Sequence, residues 1–363
     1  MKTAVVHDWL NGMRGGERVL EAILPLVPEP TVFTLFHVPG SVSPEIERYP
    51  IRASFLNHLP FSREHYRSFL PLFPRAVESF DLSGFDLVVS SSHCVAKGAI
   101  ARGAPHLCYC HTPVRYAYEQ FDFYFPRDRT RFYGFKSRRI ARLREWDRRT
   151  ADRPGRYLAN SSAVAERIRR HYGREAAVCH PPVDVDFFRP DGSRRGDFLL
   201  AVGALVPYKR FDVAIDAARE LGRPLVLVGE GPEAERLRAR AGPSVEMPGT
   251  VPRERLRELY RTCAFFVQPG EEDFGIAAAE AVACGMPVVA LDAGGVRDIV
   301  RDGEEGVLYP AGPDPGAALR DAVRRVSTIA FDYTRLRRSA ERFGRERFER
   351  EFRGALREIE TLR

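Results

Sequence analysis

The feature that most constrains this chain is a regular exchange between two textures. In the first half, short and nearly unbroken apolar runs (TAVVHD, TVFTLF, FDLVVSSS, HLCYCH, RYLANSS) alternate with stretches such as GERVLEAILPLV, where apolar residues recur every three or four positions. A strand that is apolar on both sides must be covered on both faces, and the intervening helices are the cover. The exchange resumes with FLLAVGAL, FDVAIDAARELG, PLVLVGEG, PEAERLRARAG, VEMPGTV, RERLRELYRT, AFFVQPG and PVVALDAGG. Such alternation predicts α/β architecture with parallel sheets. Between the two series lies a proline-bearing connector, HPPVDVDFFRP, at 180–190. A chain of 363 residues, 44% hydrophobic, also exceeds the ~250–300 residues at which one core stops growing. Two doubly wound domains are expected, 1–180 and 181–344, hinged near Pro181 and Pro182. Leu336, Phe343, Phe348, Phe352 and Leu356 recur at helical spacing in a highly charged C-terminal stretch. They predict closing helices, the last of which, about 345–363, packs back on the first domain.

Several classes fall away on composition. No segment offers the ~18 uninterrupted apolar residues of a membrane span, and MKTAVVHDWL reaches His7 and Asp8 too soon for a secretory signal. The six cysteines (Cys94, Cys108, Cys110, Cys179, Cys263, Cys284) form no C-x-x-C pair, which fits a reducing cytoplasm. A net charge of +7 favours an anionic partner: a phosphate-bearing substrate, a membrane surface or nucleic acid.

One segment concentrates chemistry. Residues 270–285 read GEEDFGIAAAEAVACG, so a helix is expected to open at Gly275 after the strand AFFVQPG. The free N–H groups of its first turn, with the helix dipole, favour a phosphate. Glu280 lies five residues on, about 7 Å along the axis, and Glu272 precedes the helix, so the two carboxylates can flank a bound phosphate. Carboxylates beside a phosphate need hydroxyl donors, and a nucleoside diphosphate sugar carries a sugar at each end. Taken alone, the segment is equally an amphipathic helix after a polar loop.

The run E-D-F-G-I-A-A-A-E resembles the Glu-x7-Glu signature of retaining glycosyltransferases of GT-B fold, glycosyltransferase family 4 type. GGERVLEAI, RYLANSSAVAERIRRHYG, PPVDVDFF, VPYKRFDVAIDA, VGEGPEAERL and ACGMPVVALDAGGVRDIV extend the likeness in the same order along most of the chain. The resemblance implies two Rossmann-like domains, an acceptor-side one and a nucleotide-sugar-binding one, with transfer in the cleft between them and neither metal nor cofactor. It implies that Glu280 binds ribose hydroxyls, Glu272 faces the donor hexose, and the backbone at Phe274, Gly275 and Ile276 holds the phosphates. Lys209 takes the place of the lysine that neutralises the diphosphate, beside Gly203. Arg210 is a candidate substitute for the family's arginine, replaced here by Ala204. Glu230 and Val251 complete the implied donor set. Gly15 and Gly16 would bring a helix mouth near the phosphates, and His111 resembles the strand-end histidine that contacts the donor sugar. HTPVRYAYEQF and VPYKRFD look most like enzymes that transfer mannose from GDP-mannose in surface-polysaccharide assembly, with a glycan or lipid-linked acceptor. A UDP-sugar donor is the alternative, and a nucleotide-sugar epimerase or a nucleotide-binding regulatory protein are the readings from other classes.

Other motifs compete for attention. Asp184 and Asp186 mimic a D-x-D metal motif but fall in the connector. GEGPEA at 229–234 fits a dinucleotide fingerprint, yet Glu230, Glu233 and Glu235 would repel a pyrophosphate. Ser90, Ser91, Ser92 and His93 read as a loop at a strand end. Residues 127–149 interleave Arg127, Arg129, Arg131, Lys136, Arg138, Arg139, Arg142, Arg144, Arg148 and Arg149 with aromatic and aliphatic residues, against Asp128, Glu145 and Asp147. That composition suits an anionic membrane surface, which would make the protein peripheral on the inner face of the plasma membrane, or a plain solvated face. Nucleic acid ranks below both.

Overall fold

The structure is a computed structural model that describes residues 1–62, 65–119, 121–125, 127 and 132–361. The chain divides into two compact units, Met1–Pro182 with Glu346–Arg363, and Val183–Arg345.

The first unit is built on seven parallel strands: β1 (Thr3–His7), β2 (Pro30–Thr34), β3 (Ile51–Ala53), β4 (Leu87–Ser92), β5 (His106–Cys110), β6 (Arg156–Ala159) and β7 (Ala176–Val178). Their order, β3-β2-β1-β4-β5-β6-β7, puts the switch in winding direction between β1 and β4. Successive residues point to opposite faces, and both faces are buried. Ala4, Val6, Phe33 and Val88 meet Phe73, Ile140, Leu143 and Trp146 on one side. On the other, Val5, Val32, Leu87, Val89 and Leu107 meet Leu20, Ile23, Phe348 and Phe352. The last two belong to the closing helix Arg345–Glu360, which supplies a large part of this core although it follows the second unit in sequence.

The second unit has six parallel strands: β8 (Leu199–Val202), β9 (Leu225–Val228), β10 (Val245–Gly249), β11 (Phe265–Gln268), β12 (Val288–Leu291) and β13 (Gly306–Tyr309). The order β10-β9-β8-β11-β12-β13 puts its switch between β8 and β11. In open sheets of this kind ligands bind beyond the carboxyl ends of the strands at the switch.

One expectation is corrected, and three strands are added. Ser90–Ser92 are not a loop: they form the buried C-terminal half of β4, because a strand enclosed on both sides can carry hydroxyls when they find partners inside, and Ser90 Oγ lies 2.9 Å from His106 Nε2. The short edge strands β3, β7 and β13 were not anticipated, since runs of three or four residues carry little periodic signal.

The basic segment forms the helix Tyr133–Arg149; Asp128, Arg129 and Arg131 lie outside the described residues. Its inner face is fixed by Ile140, Leu143 and Trp146, while Arg138, Arg139, Arg142 and Arg144 are exposed. Asp147 is buried 3.0 Å from the ammonium of the equally buried Lys97. Among the described residues no helix is long and apolar enough to cross a membrane, and no His/Cys/Asp/Glu group is placed to hold a metal. Asp184 instead accepts the Phe187 N–H at 3.1 Å and pairs with Arg253 at 2.8 Å.

Candidate active site

In the second unit Gly203, Lys209, Glu272 and the start of the helix after β11 gather at the switch between β8 and β11. Gly203 follows β8 at φ +151°, and a Cβ there would lie 2.5 Å from Lys209 Nζ, so only glycine lets that ammonium cross the strand end. The turn Pro207–Lys209 delivers the lysine, whose Nζ stands 2.6 Å from Glu272 Oε1 in the loop after β11. Both side chains are only partly exposed, and the pair is a compact, nearly neutral unit. An ammonium has three N–H donors, so Lys209 can keep Glu272 and still offer hydrogen bonds to phosphate oxygens.

The helix opens as expected: Ile276–Ala283, capped by Gly275 in the left-handed region at φ +99°. Gly275 brings no capping side chain of its own, and the first-turn amides of a helix have no acceptor within it. Phe274 anchors the loop by burying its ring against Phe343, at 5.3 Å between centroids. Glu280 departs from the expectation of an open acceptor: it is 4% exposed, and its Oε2 already accepts the Tyr260 hydroxyl at 3.0 Å. A carboxylate on the second turn of a helix packed against the sheet is buried by its neighbours, and Tyr260 satisfies one oxygen. Arg210, at φ +53°, turns its guanidinium to Asp212, 3.4 Å away, rather than to Glu272. Its charge is felt at Tyr309, whose phenol is nonetheless pushed up in pKa, chiefly by burial. Glu230 follows β9 and holds the chain through its carbonyl, which accepts the Leu205 N–H at 2.8 Å, while Val251 packs on the core. The glycines of DAGG had no role assigned from sequence. A Cβ on Gly294 or Gly295 would run into the carbonyls of Glu272 and Asp273 at 2.2 and 2.3 Å, so this pair lets the Glu272 loop seat.

In the first unit the switch between β1 and β4 holds a polar cluster that sequence reading found only in part. The helix Gly15–Ile23 starts at Gly15, and Gly16 lies against His7 and His111, where an added Cβ would sit 3.7 Å and 3.9 Å from ring atoms. His111 is 9% exposed, and its Nε2 lies 2.8 Å from Ser91 Oγ. Ser91 Oγ is also 3.1 Å from His7 Nδ1, and His7 Nε2 stands 3.8 Å from Glu17 Oε1. Burial, with the His93 and His7 rings beside it, lowers the His111 pKa well below the ordinary imidazole range, so the ring is neutral. Burial likewise lowers His93, against the opposing pull of Asp8 3.3 Å away. Burial, the largest influence, pushes the Glu17 carboxyl up, but the His7 and His93 rings and a backbone hydrogen bond together hold it below the usual carboxylate range, so it stays ionised near neutral pH. Asp8, fully buried, accepts the backbone N–H groups of His93, Cys94, Val95 and Ala96 at 2.7–2.9 Å and so fixes the turn after β4. Asp8 and its partners lie up to 88 positions apart, and His7, Glu17 and Ser91 carry no motif; the parallel register that aligns His7 with Ser91 reveals them.

Residues 28–187 match the model of the Glycosyltransferase Family 4 domain, and residues 186–345 that of Glycosyl transferases group 1. The D-inositol 3-phosphate glycosyltransferase of Streptomyces bingchenggensis is 32% identical over 230 residues, 52% of this chain and 50% of that one. Its counterpart in Acidothermus cellulolyticus is 37% identical over 194 residues, 44% and 43% of the two chains. The match thus spans about half the length of these curated relatives. Among solved structures, Anabaena HepE in complex with UDP superposes with a TM-score of 0.72 at 18% identity, covering 99% of this chain and 100% of that one. Sucrose-phosphate synthase from Thermosynechococcus elongatus gives 0.71 at 19% identity over 100% of both chains. The chain therefore joins a Family 4-type glycosyltransferase domain to a group 1 glycosyl transferase domain on the two-sheet GT-B fold.

Proposed function

We propose that this chain is a retaining, metal-independent glycosyltransferase that moves a hexose from a nucleoside diphosphate sugar to a hydroxyl acceptor. The observation that carries the reading is the Lys209–Glu272 pair beside the start of the helix Ile276–Ala283. A diphosphate at that start would meet oriented amides and an ammonium. At ~4 Å and an effective dielectric of ~20, one such charge stabilises one developing phosphate charge by about 4 kcal/mol, roughly a thousandfold in rate if felt in the transition state. Glu272 would take a hexose hydroxyl, and Glu280, sharing its oxygens with Tyr260, a ribose hydroxyl. His111 is assigned to the sugar near the transferring carbon. No side chain is assigned as a covalent nucleophile: the leaving phosphate stays on the face the acceptor approaches and takes its proton.

UDP-sugar is favoured as donor over the GDP-mannose that the motifs suggest, because Anabaena HepE has been solved with UDP and with UDP-glucose. Mannosyl transfer from GDP-mannose rests on the motif likeness alone. The acceptor is a glycan, a lipid-linked glycan or, by the names of the curated relatives, an inositol phosphate. We place the protein in the cytoplasm, attached to anionic membrane by the exposed arginines of the helix Tyr133–Arg149.

The test is a transfer assay with UDP- and GDP-sugars in excess EDTA, followed by the anomeric configuration of the product. The expected product retains the donor's configuration and forms undiminished under chelation. Loss of turnover restored by Mg²⁺ or Mn²⁺, or an inverted product, would overturn the assignment.

A further inference from the structure

We infer that Glu17, His7 and Ser91 form a proton-ordering chain that holds His111 in one tautomer, its proton on Nε2 and its lone pair on Nδ1. The three are positioning residues. The use of that lone pair, to accept a hydrogen bond from a substrate hydroxyl, rests on the transferase reading, whereas the tautomer itself does not.

The argument begins at Ser91. Its Oγ touches two imidazoles, His111 Nε2 at 2.8 Å and His7 Nδ1 at 3.1 Å, and all three side chains are buried. A hydroxyl carries one proton, so it donates to one ring and accepts from the other. The two facing nitrogens must therefore be unlike, one N–H and one lone pair. The direction is set at the far end. His7 Nε2 is buried without a hydrogen-bond partner among the described residues, and its nearest charge is the Glu17 carboxylate, 3.8 Å away. In its neutral form His7 turns its N–H toward that carboxylate. His7 then presents a lone pair at Nδ1, Ser91 donates to it, and Ser91 accepts from His111 Nε2–H. Among the described residues the hydrogen bond of the His111 ring is the one at Nε2, and Nδ1 is the nitrogen left to meet a substrate.

The sheet builds the chain. Parallel register pairs His7 of β1 with Ser91 of β4, and Ser91 with Tyr109 of β5, two residues before His111, so the groups sit on adjacent strand ends. Glu17 is fixed separately, because its Oε2 accepts the Arg14 backbone N–H at 3.0 Å. That contact makes one substitution decisive. In Glu17→Gln the amide oxygen must stay with Arg14, which turns the amide NH₂ toward His7 Nε2. A donor there reverses every link: His7 carries its proton on Nδ1, Ser91 donates to His111 Nε2, and His111 carries its proton on Nδ1.

The experiment is a two-bond ¹H–¹⁵N correlation spectrum of the intact, histidine-labelled protein in mildly alkaline buffer, with rings assigned by His7→Asn and His111→Asn. The expected spectrum shows His111 as Nε2–H in the parent and as Nδ1–H in Glu17→Gln. Ser91→Ala should give His111 a tautomer mixture while His7 is unchanged, and Ser91→Thr should restore the single form. Donor-dependent turnover in Glu17→Gln should fall about tenfold or more with donor affinity unchanged, the size of one buried hydrogen bond misdirected. An Nδ1–H His111 in the parent protein, which needs no variant to fold, overturns the inference, as does a folded Glu17→Gln whose His111 is unaltered. If the parent tautomer is Nε2–H but no nucleotide sugar is turned over, the transferase reading fails and the proton chain stands.

Discussion

At the residue scale, the second unit's candidates were legible because spacing encodes them. A glycine after one strand, a lysine six residues on, and a Glu-x7-Glu run around a helix start are local patterns, and each keeps its meaning once folded. What sequence could not give is who already holds whom. Lys209 and Glu272 come together from 63 positions apart at 2.6 Å, and Glu280 is buried on Tyr260. These contacts sharpen the kinetic expectation. Ribose binding is felt in ground and transition states alike, so Glu280→Gln should mainly raise the donor KM. Removing Lys209 takes away charge that matters most as the diphosphate departs, so Lys209→Ala should lower kcat by roughly 10²–10³. Steady-state kinetics with the effects exchanged would void these roles. His106 makes a second expectation. Burial, aided by the Lys97 and Arg153 charges, holds its pKa to about 3, against ~6.5 for an unfolded imidazole. The unfolded chain then binds the extra proton between those values, so stability is full above about pH 6.5 and falls as pH drops toward 3. The slope is at most about 1.4 kcal/mol per pH unit. Urea titrations of His106→Gln from pH 7 to 4 should show a shallower acid slope than the parent; an equal slope would remove His106 from the acid response.

At the element scale, both sheets were readable from near-continuous apolar runs, because a strand covered on two faces has no polar side to confuse its period. The edge strands were not, being too short, nor was β4 beyond Val89, because serines read as loop unless their partners are visible. The helix Tyr133–Arg149 shows the opposite case: its composition announces a charged face, but only packing separates the residues that hold the fold from those that meet solvent. Ile140 and Leu143 are buried, while Arg138, Arg139 and Arg142 are exposed near Phe135, itself 56% exposed, with the Arg139 guanidinium 4.0 Å from that ring. Near an anionic leaflet each arginine contributes about 1 kcal/mol, fading within a Debye length of ~8 Å. Changing Arg138, Arg139 and Arg142 together to Glu should release the folded protein from anionic liposomes and leave turnover of a soluble acceptor nearly unchanged. Undiminished sedimentation of that variant would leave the helix as an ordinary solvated face.

For the whole molecule, the central claim is that the second unit binds a nucleoside diphosphate sugar at the switch between β8 and β11. The sheet order that creates the switch is a property of topology, and no local pattern states it; the alternation of elements predicted only that such a place would exist. The most direct measurement is calorimetric titration of the parent protein and of Lys209→Ala with UDP, UDP-glucose, GDP and GDP-mannose, in EDTA and at two salt concentrations. The account predicts 1:1 binding of a diphosphate nucleotide without metal, tighter for the UDP pair, weakened on the order of tenfold or more by loss of the lysine and weakened again by salt. A folded parent protein that binds none of the four ligands, or binds one equally well without Lys209, would contradict it.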